Sequence, residues 1–271
     1  MNKSVHCVGV ALLFAGSAGG CAVALDEGES GETTATTGEA VMGYIPPGPP
    51  TYVWATGDPT KLMTPTGTSA CFFTELQGRF RSTGDRVRIT TGSQNWQLTG
   101  SNGAANTNPG VTARCLTLPA NQVSGWTHTW AAGEPGVDLG STSNRVCFLV
   151  DIYGRFESDD DWVQTRISGS HWYLEGSITS GGAAARCISG ATIVAKGMVS
   201  TGETLDIVGA TDASSCILTT LGGNLLGTDV YSGTWPLTLI STYGGADMYV
   251  FDGLFWNLTS GGGRATARCI Q

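Results

Sequence analysis

CFLVDIYGRFESDDDWVQTRISGSHWYLEGSITSGGAAARC, residues 147–187, is the stretch on which the reading of the whole chain turns. Laid over residues 71–115, it runs without a gap from the first cysteine to a glycine beyond the tryptophan. Cys71, Gly78, Phe80, Trp96, Leu98 and Gly100 fall on Cys147, Gly154, Phe156, Trp172, Leu174 and Gly176. A looser third copy runs from Cys216 to Cys269. It keeps Cys216, Leu221, Gly223 and Leu225, then carries 15 additional residues before Trp256 and Leu258. All three copies close alike, on Ala113-Arg114-Cys115, Ala185-Arg186-Cys187 and Ala267-Arg268-Cys269. A unit repeated three times is the feature to read first, because it sets the architecture before any single element does.

The repeat begins ahead of its first cysteine. Trp54 and Trp130 each stand 17 residues before theirs, and Val199 takes that place in the third copy. The repeats therefore span 51–116, 127–188 and 196–271. After each first cysteine, apolar residues recur at every second position. Phe72, Thr74, Leu76, Gly78 and Phe80 fall on one side, as do Phe148, Val150, Ile152, Gly154 and Phe156. Alternation of this kind reads as a strand with one face on a core, and the mid-strand glycine reads as a bulge or a close approach. Further strands follow at Val87–Ile89 and Val163–Thr165, at the Trp-x-Leu segments, and at the Ala-Arg-Cys endings. That makes four or five strands per repeat and no amphipathic helix. The fold class is all-β: three homologous, disulfide-stapled modules, closed about a pseudo-threefold axis or strung in tandem.

Forty glycines and 13% charged residues suit a turn-rich β protein. A formal charge of −8 with three lysines, Lys3, Lys61 and Lys196, argues against nucleic acid as a partner, since phosphate binding needs clustered bases. Six cysteines remain after Cys7 and Cys21, two in each repeat. The repeat selects one pairing from the 15 combinatorial ones: Cys71–Cys115, Cys147–Cys187 and Cys216–Cys269. Disulfides imply an oxidising compartment. No C-x-x-C pair or neighbouring histidine supports a metal, and no cofactor is expected.

The N-terminus carries Lys3, a short apolar run from Val8 to Ala15, and Ala18-Gly19-Gly20-Cys21. This segment resembles the signal peptide and lipobox of bacterial lipoproteins, with Ala18 where a larger aliphatic residue is usual. The resemblance covers residues 1–21. It implies a signal peptide over 1–20, lipidation of Cys21 and attachment to the outer membrane, because the residue after the cysteine is Ala22 rather than Asp. Ala22-Val23-Ala24 also fits ordinary signal cleavage, which would release a soluble secreted protein. Residues 21–50 read as the lipidated cysteine with an acidic, proline-rich tether, too poor in apolar surface to fold.

Several positions are candidates for function. Outward positions of the tryptophan strand carry Asn95, Gln97 and Thr99 in the first copy, and His171, Tyr173 and Glu175 in the second. In the third they carry Phe255, Asn257 and Thr259. Rings beside amides and carboxylates on a rigid sheet suit carbohydrate, although a plain solvated face reads the same way. The third-copy insertion, within 227–253, holds Tyr231, Trp235, Tyr243, Asp247 and Tyr249. It is either a binding excursion or a hairpin covering a sheet edge. Arg114, Arg186 and Arg268 are either repeated anion contacts or structural guanidiniums. Glu157 to Asp161 is either an oxygen-rich cation loop or a solvated turn. The mature chain has two histidines, His128 and His171, and no nucleophile or phosphate-loop pattern, so no catalytic residue is assigned. The expected function is a surface-anchored extracytoplasmic binding module, lectin- or adhesin-like, for a glycan or protein ligand. A purely structural envelope lipoprotein is the alternative, and a hydrolase ranks below both. Oligomeric state is left open.

Overall fold

The computed structural model describes residues 51–104, 109–119, 122, 125–200, 204–207, 215–223, 225, 236–243, 255–259 and 264–270. Cys21, the signal segment and the tether lie outside the described residues. Within them there are strands and turns but no helix. Each repeat contributes six strands. The first supplies β1 (Thr51–Ala55), β2 (Lys61–Pro65), β3 (Ser69–Gln77), β4 (Arg86–Thr91), β5 (Asn95–Ser101) and β6 (Gly110–Thr117). The second supplies β7 (His128–Ala131), β8 (Val137–Ser141), β9 (Arg145–Arg155), β10 (Trp162–Ser168), β11 (His171–Ser177) and β12 (Ser180–Ser189). The third supplies β13 (Ile193–Val199), β14 (Thr204–Ile207), β15 (Ser215–Gly222), β16 (Pro236–Tyr243), β17 (Phe255–Thr259) and β18 (Arg264–Ile270). The expected four or five strands omitted β2, β8 and β14. At four or five residues each, these are too short to show a period of their own.

No repeat forms a sheet alone. Sheet I runs β1-β6-β3-β16-β17-β14, sheet II β7-β12-β9-β4-β5-β2, and sheet III β13-β18-β15-β10-β11-β8. In every sheet the first, last and cysteine strands of one repeat join the remaining three strands of another. The joins run from repeat 1 to repeat 2, repeat 2 to repeat 3 and repeat 3 back to repeat 1. The order is closed and threefold, which rules out separate beads. Antiparallel pairing makes each join: Val87 against Ile152, Val163 against Leu221, and Thr238 against Leu76. Each partner stands five residues after its cysteine, so the three seams have one register.

The core lies where the cysteine strands converge. Phe72 meets Phe148 edge-on with centroids 6.1 Å apart, and Phe80 meets Phe156 at 6.0 Å. Ile217 and Leu225 are buried at the corresponding third-copy positions. Backbone bonds tie the same layer together: Phe156 N–H donates to Phe80 C=O, and Leu225 N–H to Phe156 C=O. The cysteine strands β3 and β9 are buried on both faces rather than on one, with successive residues inaccessible along most of their length. The three disulfides, Cys71–Cys115, Cys147–Cys187 and Cys216–Cys269, staple each cysteine strand to the last strand of its own repeat. They place the domain in an oxidising, extracytoplasmic environment.

The bulge lies four residues earlier than the glycine that suggested it. Register shifts at Thr74, Val150 and Thr219, between Phe73 and Glu75, Leu149 and Asp151, and Leu218 and Thr220. The glycine itself meets the other alternative, a close approach, in a conformation that needs it. Gly78, Gly154 and Gly223 have φ of 82°, 108° and 99°, in the region that L side chains avoid. A Cβ on Gly154 would also sit 2.2 Å from Ser180 O. In this conformation Gly154 N–H donates to Asp85 C=O and Gly223 N–H to Asp161 C=O, each reaching back to the preceding repeat.

At the repeat 1–2 seam Arg86 grips Asp151 through Nε and Nη2 and lies over the Tyr153 ring, 5.0 Å from its centroid. Burial pushes the Asp151 carboxyl above its usual range, and the guanidinium opposes the shift. Arg86→Ala is expected to cost about 1–3 kcal/mol at neutral pH, by stranding a buried carboxylate. Asp151→Asn should cost less. With its folded-state affinity for a proton raised above the unfolded one, Asp151 in Arg86→Ala favours the native state at low pH. The deficit should therefore shrink on acidification and grow as pH rises. Urea unfolding of both variants across that range checks the sign.

Candidate functional site

The repeats are close enough to superpose by number, so departures from their symmetry stand out. At the corner between sheets II and III, β7 lies beside β8, as β1 lies beside β2 at the corner between I and II. The second-repeat corner carries Trp126, His128, Asp138 and Arg145. The gapless equivalents in the first are Pro50, Tyr52, Leu62 and Ser69. On the adjoining face of sheet III, β10 and β11 present Gln164, Arg166, His171, Tyr173 and Glu175. Their equivalents on sheet II are Arg88, Thr90, Asn95, Gln97 and Thr99. A requirement of the scaffold would fall on both copies. His171, Tyr173, Glu175 and Arg166 stand on one, where the other has Asn95, Gln97, Thr99 and Thr90. Arg88 and Tyr52 keep a charge and a ring in the first copy, and Asp206 takes the register place of Asp138 in the third.

These residues form a contiguous strip. Tyr173 pairs with Asp138 across β11 and β8, at a register shift beside Trp172. His171 Nδ1 lies 2.8 Å from Asp138 Oδ2, and its ring is tilted over that of Tyr173 at 6.5 Å. Arg166 lies over the other side of the strip, 5.8 Å from the Tyr173 centroid, and pairs with Glu175. Gln164 Nε2 donates to Glu175 Oε1 at 3.0 Å. The Gly140 N–H, donating to Asp138 Oδ1 at 2.7 Å, and the His171 ring hold the Asp138 carboxyl below its usual range. The strip thus presents a phenol flanked by the Arg166–Glu175 ion pair on one side and the His171–Asp138 contact, with its ionised carboxylate, on the other.

The expected trio His171, Tyr173 and Glu175 is brought together by the structure, all partly exposed on one face. Reading the sequence missed Trp126, Asp138, Arg145 and Arg166. The signal was present as the four- and five-residue contrasts between copies 1 and 2. Of the insertion residues, Tyr231, Trp235, Asp247 and Tyr249 lie outside the described residues, and Tyr243 closes β16 opposite Phe255. The residues on either side of β16 that lengthen this copy lie outside the described residues. Thr238 takes the seam position of Val87 and Val163 but stands 22 residues from its cysteine instead of 16. Six additional residues therefore precede β16 and nine separate it from β17, while β16 itself is an inner strand of sheet I.

Two of the three Ala-Arg-Cys guanidiniums are taken up by rings. Arg186 stacks on Trp96 at 4.8 Å and Arg268 on Trp172 at 5.2 Å, each across a repeat boundary. Arg186 Nε also donates to Thr127 Oγ1 at 2.8 Å, and burial lowers the pKa of Arg186 and of Arg114. The acidic loop is organised from within. Asp161 Oδ2 accepts from the backbone N–H of Glu157 and Ser158, and Asp85 does the same for Arg81 and Ser82 in the first copy. A carboxylate that gathers N–H donors is turned away from a cation site. Among the described residues no group of three or more His, Cys, Asp or Glu side chains converges as a metal would need. No protein-family model, curated protein or solved structure matches the chain.

Proposed function

We propose that the protein is an extracytoplasmic binding module, without catalytic activity, that recognises a glycan or a peptide on the β10–β11 face of sheet III. One observation carries the reading: on a face that is polar in both copies, the second alone gathers the rings of His171 and Tyr173 and the paired charges of Arg166 and Glu175. Tyr173 offers a ring, Glu175 and Asp138 offer acceptors, and Arg166 and Gln164 offer donors, which is the mixture that sugars and peptides require. A rigid sheet holds them, so little order is lost on binding. The N-terminal segment supports attachment through lipid on Cys21, with residues 21–50 as the spacer from an outer membrane. Metabolic labelling with a fatty-acid analogue should then tag the native chain and not Cys21→Ser.

The mature chain, screened on glycan and peptide arrays, should retain a restricted set of ligands. Tyr173→Ala should weaken their binding by about tenfold or more, roughly 1.4 kcal/mol, while leaving the melting temperature nearly unchanged. Silence on both arrays would favour the purely structural envelope role. Ligand retention unaffected by Tyr173→Ala would move the site elsewhere.

A further inference from the structure

Around the corner from Tyr173, β7 and β8 leave an open groove of about 490 Å³, lined by Trp126, His128, Asp138, Gly140 and Arg145. That volume falls within the roughly 300–1,000 Å³ of small-molecule sites. We infer that this groove is a subsite for a neutral pyranoside, stacked on Trp126 and held through its hydroxyls by Asp138 and Arg145. The inference rests on the module being a binding protein, and goes beyond it in naming a second position and the class of ligand.

Trp126 is 79% exposed, an unusual cost for the largest apolar side chain unless the ring serves a surface role. An indole face accepts the C–H face of a sugar ring. Opposite charges flank it, and one short stretch of backbone ties both in place. Asp138 Oδ1 accepts the Gly140 N–H at 2.7 Å, while Arg145 Nη1 donates to Leu139 C=O at 2.8 Å. An anion entering the groove meets Asp138, and a cation meets Arg145. A neutral polyol suits both, donating hydroxyl protons to the carboxylate and accepting from the guanidinium. The first-repeat equivalents of Trp126, His128, Asp138 and Arg145, which are Pro50, Tyr52, Leu62 and Ser69, carry no charge.

The test is a titration of the ¹⁵N-labelled mature chain with methyl α-mannopyranoside and methyl β-galactopyranoside. Methyl β-glucuronide and glucosamine serve as the charged controls. At least one neutral probe should shift the Trp126 indole and Gly140 amide signals saturably and more tightly than either charged probe. Trp126→Ala and Asp138→Asn should each weaken that binding about tenfold or more, with unchanged melting. Three results would overturn the inference: no saturable shift with either neutral probe, tighter binding of a charged probe, or binding that survives Trp126→Ala. If array ligands are lost with Tyr173→Ala but kept with Trp126→Ala, the binding-module reading stands and the subsite falls. If no probe binds and the arrays are silent, both fall.

Discussion

Replacing Trp130 with alanine is expected to cost about 3–5 kcal/mol, enough to remove much of the stability of an ordinary domain. The side chain is 1% exposed and spans two sheets. It leaves β7 in sheet II and lays its ring over Gly176 of β11 in sheet III, while its indole N–H donates to Glu134 C=O at 2.9 Å. A Cβ on Gly176 would sit 2.6 Å from the Trp130 ring and from Trp162 O, so Gly176→Ala should also destabilise, by about 1–3 kcal/mol. Trp54 and Gly100 repeat the arrangement in the first copy. The third copy changes both partners, to Val199 and Ser260. The two losses should therefore be coupled: Trp130→Val with Gly176→Ser should cost clearly less than the sum of the single changes. A double-mutant cycle by urea unfolding measures that difference.

Phe156→Ala is expected to lose a similar 3–5 kcal/mol, and to do so for all three sheets at once. Phe156 is fully buried against Phe80, and its backbone bonds to Phe80 on one side and Leu225 on the other. With the sheets shared between repeats, local loosening of one copy is not an available outcome. Near-ultraviolet circular dichroism and far-ultraviolet signal should fall in one coincident transition, displaced to lower denaturant with an unchanged slope. A biphasic curve with one repeat melting first would mean that the repeats are more independent than their pairing implies.

Much of this was legible in the chain because the copies explain one another. Two cysteines per copy left one sensible disulfide pairing. The spacing from Trp54 and Trp130 placed Val199 in the matching position, and its backbone pairs with Ala265 as Trp130 pairs with Ala183. Periodicity was less informative about partners. Alternation in β3 and β9 shows that a face is buried, but not that the covering strand belongs to another copy. A closed exchange of strands and a tandem string therefore share one sequence pattern, and only the pairing itself separates them. The buried carboxylate Asp161 read as part of a loop charge cluster, since nothing in its spacing reveals the N–H groups that it, like Asp85, collects. At the candidate site the trio on β11 was found by residue type. Asp138 and Trp126 were not, because they belong to the short strand β8 and to the approach to β7, which no pattern marks.

The closed ring is tested most directly by cross-strand nuclear Overhauser effects at the three seams of the mature chain. Backbone contacts should appear between Val87 and Ile152, between Val163 and Leu221, and between Thr238 and Leu76. The last joins the third repeat to the first and has no counterpart in an open array. All three seams in one register is the predicted result. The first two without the third, or strands 4 and 5 of each repeat pairing only within their own copy, would contradict the closed architecture.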